Sequence, residues 1–181
     1  MSIEKQYMST ENKTALITGA SSGIGKATAV HLAEMGYQLV LCGRNTLKLN
    51  EVALSLSKKT KVHTLLFDVV NKVAVSDAIA SLKAPFHQID VLVNNAGNAH
   101  GLDLFQDASL EDWDAMIDIN VKGLLYVTKA VLPGMLSRNK GHIIHIGSTA
   151  GKEVYPKGNV YCASKHAVDA INSAMRIDLN G

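Results

Sequence analysis

A chain of 181 residues is long enough for one domain with a sizeable core, and 47% apolar against 19% charged residues argues against disorder. The formal net charge of +2 comes from interspersed charges of both signs, with no long basic run and no aromatic-basic interleaving, so nucleic acid is not an implied partner. No apolar run approaches the ~20 residues that a membrane helix needs, and Cys42 and Cys162, without any C-x-x-C, read as reduced thiols of a cytoplasmic protein.

Residues 1–13 are polar, lack the apolar stretch of a signal peptide, and read as a leader ahead of a domain spanning 14–181. A buried strand is predicted at 14–18, followed by Gly19-Ala20-Ser21-Ser22-Gly23-Ile24-Gly25. A helix then carries Ala27, Val30, Leu32, Ala33 and Met35, and Gly36 closes it. Glycines between a strand and a helix start let the backbone approach a phosphate, where free N–H groups and the helix dipole favour an anion. The spacing Thr-Gly-x-x-x-Gly-x-Gly is either a plain tight turn or a dinucleotide pyrophosphate site, and the strand–turn–helix context favours the site.

The second strand, 38–42, ends in Gly43-Arg44-Asn45, without the acid that holds a ribose 2′-hydroxyl in sites preferring NAD. A carboxylate would repel a 2′-phosphate, whereas an arginine fork binds one bidentately. Set against the plainer reading of a solvated arginine, this argues for NADP over NAD. A helix at 47–56, a third strand at 61–67 ending in Asp68-Val69, a helix at 73–82 closed before Pro85, and a fourth strand at 89–93 running into Asn94-Asn95-Ala96-Gly97 follow. Ser109 is a predicted N-cap, with Glu111 and Asp112 as acids in the first turn of a helix over 110–138. Pro133 bends or tightens that helix's last turns. A fifth strand at 142–146 leads to Gly147-Ser148, a loop rich in Gly and Lys, and a helix over 159–179. Strands alternating with helices predict an α/β fold, a Rossmann-like doubly wound parallel sheet with right-handed crossovers.

The last helix holds Tyr161-Cys162-Ala163-Ser164-Lys165. Tyr161 and Lys165, four apart, share one face, and an ammonium beside a phenol favours the phenolate. That makes Tyr161 a candidate proton donor or acceptor for an alcohol or carbonyl, although the same spacing also describes an ordinary half-exposed face. What singles the pair out is its company. Gly19, Arg44, Asp68, Asn94 to Gly97 and Ser148 all fall just past a strand, on the carboxyl edge where open parallel sheets bind ligands. Each has a bland alternative. Asp68 either accepts from an adenine amine or forms a turn; Asn94 and Asn95 either bond across the edge or only turn the chain; Ser148 either meets a substrate oxygen or caps a turn. Other chemistries fit worse. His142 and His145 alternate in facing along a strand, so no metal site is expected; Glu111, Asp112 and Asp114 are helix-start acids; no G-x-S-x-G elbow occurs; and Cys162 reads as a buried, inert thiol.

Taken in order, Thr18-Gly19-Ala20-Ser21-Ser22-Gly23-Ile24-Gly25, Asp68-Val69, Asn94-Asn95-Ala96-Gly97, Asn120, Ser148 and Tyr161-x-x-x-Lys165 resemble the short-chain dehydrogenase/reductase family, over about 14–181. The stretches 112–118, 129–135 and 146–151 look like a narrower branch, the NADP-dependent 3-hydroxy acid dehydrogenases that oxidise serine-like and allo-threonine-like substrates. The resemblance implies hydride transfer between a nicotinamide and a carbonyl or secondary alcohol. Tyr161 would be the acid/base, Lys165 would lower its pKa and hold the nicotinamide ribose, Ser148 would orient the reacting oxygen, and Asn120 would place a water in a relay through Lys165. Gly19, Ser21, Ser22, Gly23, Ile24 and Gly25 would bind pyrophosphate and ribose, Arg44 the 2′-phosphate, and Asp68 and Val69 the adenine, with Asn95, Ala96 and Gly97 also on the cofactor side. Lys152 and Lys157 would meet a substrate carboxylate, or are simply solvated.

The resemblance also implies a homodimer or homotetramer through the 110–138 and 159–179 helices, where Ala163, Ala167, Ala170 and Ala174 permit close packing; the alternative is packing against the sheet alone. Family members continue beyond the tyrosine helix through two more strands and a substrate-covering loop, so the chain reads as C-terminally truncated, with its fifth strand as an edge suited to burial. The alternative to an enzyme is a dinucleotide-binding or interaction module without turnover.

Overall fold

The apolar runs at the centre of the sheet become strands because each can be buried on both faces. The computed structural model describes residues 12–179. In it, β1 (Thr14–Thr18) is buried at every position and β2 (Gln38–Gly43) at all but its last. With β3 (Val62–Leu66), β4 (Ile89–Asn94) and β5 (His142–His145) they form one five-stranded sheet in the order β3-β2-β1-β4-β5, with every pairing parallel. The Rossmann-like doubly wound fold read from the sequence is therefore the fold observed. Strand order reverses at β1, which pairs with β2 on one side and β4 on the other, and this opens a crevice beyond its carboxyl end.

Side chains alternate across the sheet. Ala15, Ile17, Leu39 and Leu41 pack under Ala29 and Ala33 of α1 (Gly23–Glu34) and under Leu49 and Val52 of α2 (Thr46–Leu56). Leu16, Val40 and Leu92 face the other way, onto Val75 of α3 (Lys72–Ala80) and Val127, Val131 and Met135 of α5 (Leu124–Ser137). The remaining helices are α4 (Leu110–Ile117) and α6 (Asn159–Asp178). Among the described residues no helix is long and apolar enough to cross a membrane.

Three expectations shift. The helix expected over 110–138 is interrupted by a π turn, Asp118–Gly123, between α4 and α5. The third strand and the helix after it are shorter than expected: Ser81 caps α3 through its N–H to the Asp77 carbonyl, and Leu82 is buried beyond the cap. β5 stops at His145, because Ile146 donates its N–H to the Asn94 carbonyl while its own carbonyl turns to the Lys165 ammonium. As expected, β5 is an edge strand, and Leu132, Met135, Ile143 and Met175 border a groove of about 710 Å³ beside it. Of the predicted leader, residues 1–11 lie outside the described residues; Lys13 already accepts from the Gln38 N–H.

Candidate active site

A cleft of about 660 Å³ runs along the carboxyl edge, with Arg44 and Asp68 at one end and Tyr161 and Lys165 at the other. Its glycine-rich end is made of backbone. Gly19 and Gly23 hold φ of +64° and +52°, a region that side chains resist. A Cβ on Gly19 would stand 2.8 Å from the Asn95 Nδ2, and one on Gly25 would run into the Gly19 carbonyl and the same amide. Asn95 is what presses this close. Its Nδ2 donates to the Thr18 carbonyl at 2.9 Å and the Gly19 carbonyl at 3.3 Å, while the N–H groups of Asn95 and Ala96 both reach the Thr18 Oγ1 at 3.0 Å. Asn95 thus bonds across the sheet edge, tying the loop before α1 to the end of β4.

The first turn of α1 differs from those of its neighbours. Asn45, Asn71 and Ser109 cap α2, α3 and α4 through side-chain oxygens, but Ser22 makes no side-chain cap on α1. Gly23 and Ile24 of that uncapped first turn line the cleft, at the positive end of the helix dipole. At the far wall Arg44 Nη1 lies 3.0 Å from Asp68 Oδ2, and the Asp68 Oδ1 accepts from the Val70 N–H at 3.2 Å.

The other end is made of side chains. Lys165 is 8% exposed. Its Nζ donates to the Ile146 carbonyl at 3.0 Å and stands 5.9 Å from the Tyr161 ring centroid. Burial pushes its amine below the ordinary lysine range. Behind it the π turn delivers Asn120, which is buried. Its Oδ1 accepts from the Asn98 N–H at 2.9 Å, and its Nδ2 donates to the Asn98 carbonyl at 2.9 Å and to the Ser164 Oγ at 3.0 Å. The Ser164 hydroxyl donates in turn to the Tyr161 carbonyl at 2.8 Å. Gly97 threads between these groups: a Cβ there would stand 3.1 Å from Asn120 Oδ1 and 3.8 Å from Lys165 Nζ.

The sequence profile of the short chain dehydrogenases matches residues 13–181. The chain belongs to that family. It is 48% identical over 166 residues to an NADP-dependent 3-hydroxy acid dehydrogenase of Salmonella typhi, covering 92% of this chain and 66% of that protein. It is 44% identical over 167 residues to sulfoacetaldehyde reductase 2 of Chromohalobacter salexigens, again covering 92% and 66%. The closed form of a serine dehydrogenase complexed with NADP+ superposes with a TM-score of 0.88 at 45% identity, over 93% of this chain and 67% of that one. The chain therefore spans about two thirds of the length of these curated relatives.

In this short-chain dehydrogenase, Gly19, Ser21, Ser22, Gly23, Ile24, Arg44, Asp68, Val69, Asn95, Ala96, Gly97, Tyr161 and Lys165 line the one cleft. Gly25 lies buried beneath it, and Asn120 sits behind Gly97 and Asn98. Ser148 follows the Ile146 and Gly147 wall, and its Oγ caps a 3₁₀ turn by accepting the Ala150 N–H at 3.1 Å. Lys152 is paired with Asp169 at 2.7 Å, and neither it nor Lys157 lines the cleft. Asn94 turns inward, donating to the Thr128 Oγ1 at 2.8 Å with its Nδ2 3.2 Å from the His145 Nδ1. His142 is exposed and His145 half-buried, and among the described residues no group of three His, Cys, Asp or Glu is placed to hold a metal. Sequence reasoning missed the Thr18 hydroxyl and Ser164. The first looked like the end of a strand and the second like an ordinary helical serine bonding back to its own turn.

Proposed function

We propose that this chain is an NADP-dependent oxidoreductase acting on a small carbonyl or secondary alcohol that carries an anionic group, with 3-hydroxy acids as the leading class. One observation carries the reading: an uncapped helix start and Arg44 share a single cleft with Tyr161 and Lys165. The residues suit a phosphorylated dinucleotide, since Gly19 and Gly25 leave no room for a Cβ and Gly23 opens to free space. When bound, the cofactor supplies or accepts the hydride. The first-turn N–H groups of α1 would hold its pyrophosphate, Arg44 would hold the 2′-phosphate, and Asp68 and Val69 would flank the adenine.

The chain's own groups move the proton. The Tyr161 hydroxyl gives it to, or takes it from, the reacting oxygen. Lys165, one turn along the same helix, is held by the Ile146 carbonyl, with its Nζ 5.9 Å from the Tyr161 ring centroid. Ser148 accepts from Ala150, which leaves its own O–H to donate to the reacting oxygen. The Asn120 Oδ1 accepts a single N–H, from Asn98, so one of its lone pairs remains to hold a relay water on the Lys165 side. The relatives' names support the substrate class, because a 3-hydroxy acid and sulfoacetaldehyde both set an anion near the reacting carbon.

The protein works in the cytoplasm as a homodimer or homotetramer, through α4, α5 and the π turn between them, and α6, whose Ala163, His166, Ala170 and Ala174 are exposed along one face. Sedimentation velocity tests the assembly, and a monomer at micromolar concentration would refute it. The function is tested by NADPH fluorescence and by turnover of serine-type 3-hydroxy acids, with and without Tyr161→Phe. Turnover that falls roughly 10²–10⁴-fold in the variant, with NADPH still bound, is expected. Binding without turnover in the unmutated chain would make it a module rather than an enzyme, and no binding would refute both.

A further inference from the structure

Arg44 and Asp68 leave neighbouring strands side by side. Gly43 of β2 registers with Leu66 of β3, and the Phe67 N–H donates to the Gly43 carbonyl at 3.3 Å. Just beyond, the guanidinium Nη1 meets the Asp68 Oδ2 at 3.0 Å, while Val70 holds the other oxygen through its N–H at 3.2 Å. One side chain is 65% exposed and the other 33%, and an ion pair so open adds little to stability. Its consequence is positional. A free arginine on a strand end samples many rotamers and loses that freedom when it grips a ligand. Here a carboxylate fixed by the backbone takes a single N–H of the fork and leaves the other donors free on the wall of the cleft.

We propose that Asp68 is a positioning residue that holds Arg44 ready for a 2′-phosphate, and so sets the preference for NADP over NAD. This rests on the NADP reading above. Two effects oppose each other at Asp68. Its charge repels a phosphate, but a guanidinium bound to both would offset that repulsion, and open water screens the rest. The ordering of Arg44 therefore dominates. Any contact of Asp68 with the adenine is common to both cofactors and cancels in their ratio, which isolates the effect on Arg44.

The test is to titrate the full chain and its variants with NADPH and with NADH, following nucleotide fluorescence. Asp68→Asn should weaken NADPH roughly three- to tenfold more than NADH, a range set by the ordering of one long side chain. Asp68→Glu should recover part of the loss, and in an Arg44→Met background Asp68→Asn should leave the ratio unchanged. Equal weakening of both cofactors would overturn the proposal, since Asp68 would then serve only their shared part. A gain in NADPH preference would also overturn it, with the carboxylate acting as a competitor of the phosphate. If the unmutated chain bound neither nucleotide, the cofactor reading itself would fall and this proposal with it. NADPH binding with an unmoved ratio would remove this proposal alone.

Discussion

The two ends of the cleft are built from different material. At the α1 end the surface is main chain, brought so close that Gly19 and Gly25 have no space for a methyl group, with Asn95 as the strap. At the α6 end polar side chains make the links: the Asn120 amide joins the Asn98 backbone to the Ser164 hydroxyl, which reaches the Tyr161 carbonyl, and the Lys165 ammonium sits on the Ile146 carbonyl. A backbone site fails when atoms are added, because the clash is with groups that cannot rotate away. A side-chain site loses its chemistry when polar atoms are removed, while stability is little changed or even gained where a buried charge goes.

The largest effect that separates the two ends is expected from Gly25→Ala. Its new methyl meets the Gly19 carbonyl and the Asn95 amide, so stability should fall by about 2–3 kcal/mol in urea unfolding and nucleotide binding should weaken with it. Tyr161→Phe at the other end should leave the unfolding midpoint within experimental error. If the two variants were equally stable, the contrast between the ends would be broken.

A smaller effect is expected from pH. The His145 Nδ1 faces the Asn94 amide donor and its Nε2 lies 3.4 Å from the Met175 Sδ, so the ring sits neutral, and burial holds its pKa below the ordinary 6.5. As pH falls through that ordinary value the unfolded chain takes up a proton that the folded chain refuses, so stability present above it is lost below it. Melting temperature should decline from pH 7 to 5, and His145→Gln should flatten the decline. An identical profile in the variant would remove His145 as the cause.

The smallest expected effect is a gain. Lys165 is buried as an ammonium with its pKa pushed down, so the unfolded chain binds that proton more readily, and stability should rise as pH approaches 10.5. Lys165→Met removes the buried charge and should raise stability by about 1 kcal/mol, or ~2–4 °C in melting temperature, while abolishing turnover. A variant that melts lower would mean that the bond to Ile146 outweighs the burial of the charge.

Much of the α1 end was legible in the sequence because its signal is local. Five apolar runs and the spacing from Gly19 to Gly25 fixed the strands, the turn and the helix start. At the α6 end spacing alone marked Tyr161 and Lys165, and the family resemblance added Asn120 and Ser148. What binds the site together is long-range: Asn120 bonds Asn98 and Ser164 from 22 and 44 residues away, and at the other end Arg44 reaches Asp68 across 24. The π turn escaped notice because hydrophobic periodicity does not register a single added residue in a helix. Its neighbourhood explains it. Gly123 packs so tightly on Val69 that a Cβ would stand 2.7 Å from that side chain, while Asn120 is drawn toward Asn98.

Hydrogen–deuterium exchange on the full chain with saturating NADPH bears most directly on whether the two ends form one site. Slowed exchange is predicted together in peptides covering 19–27, 95–99 and 146–165. Protection at the glycine turn alone, with 146–165 unchanged, would contradict the account.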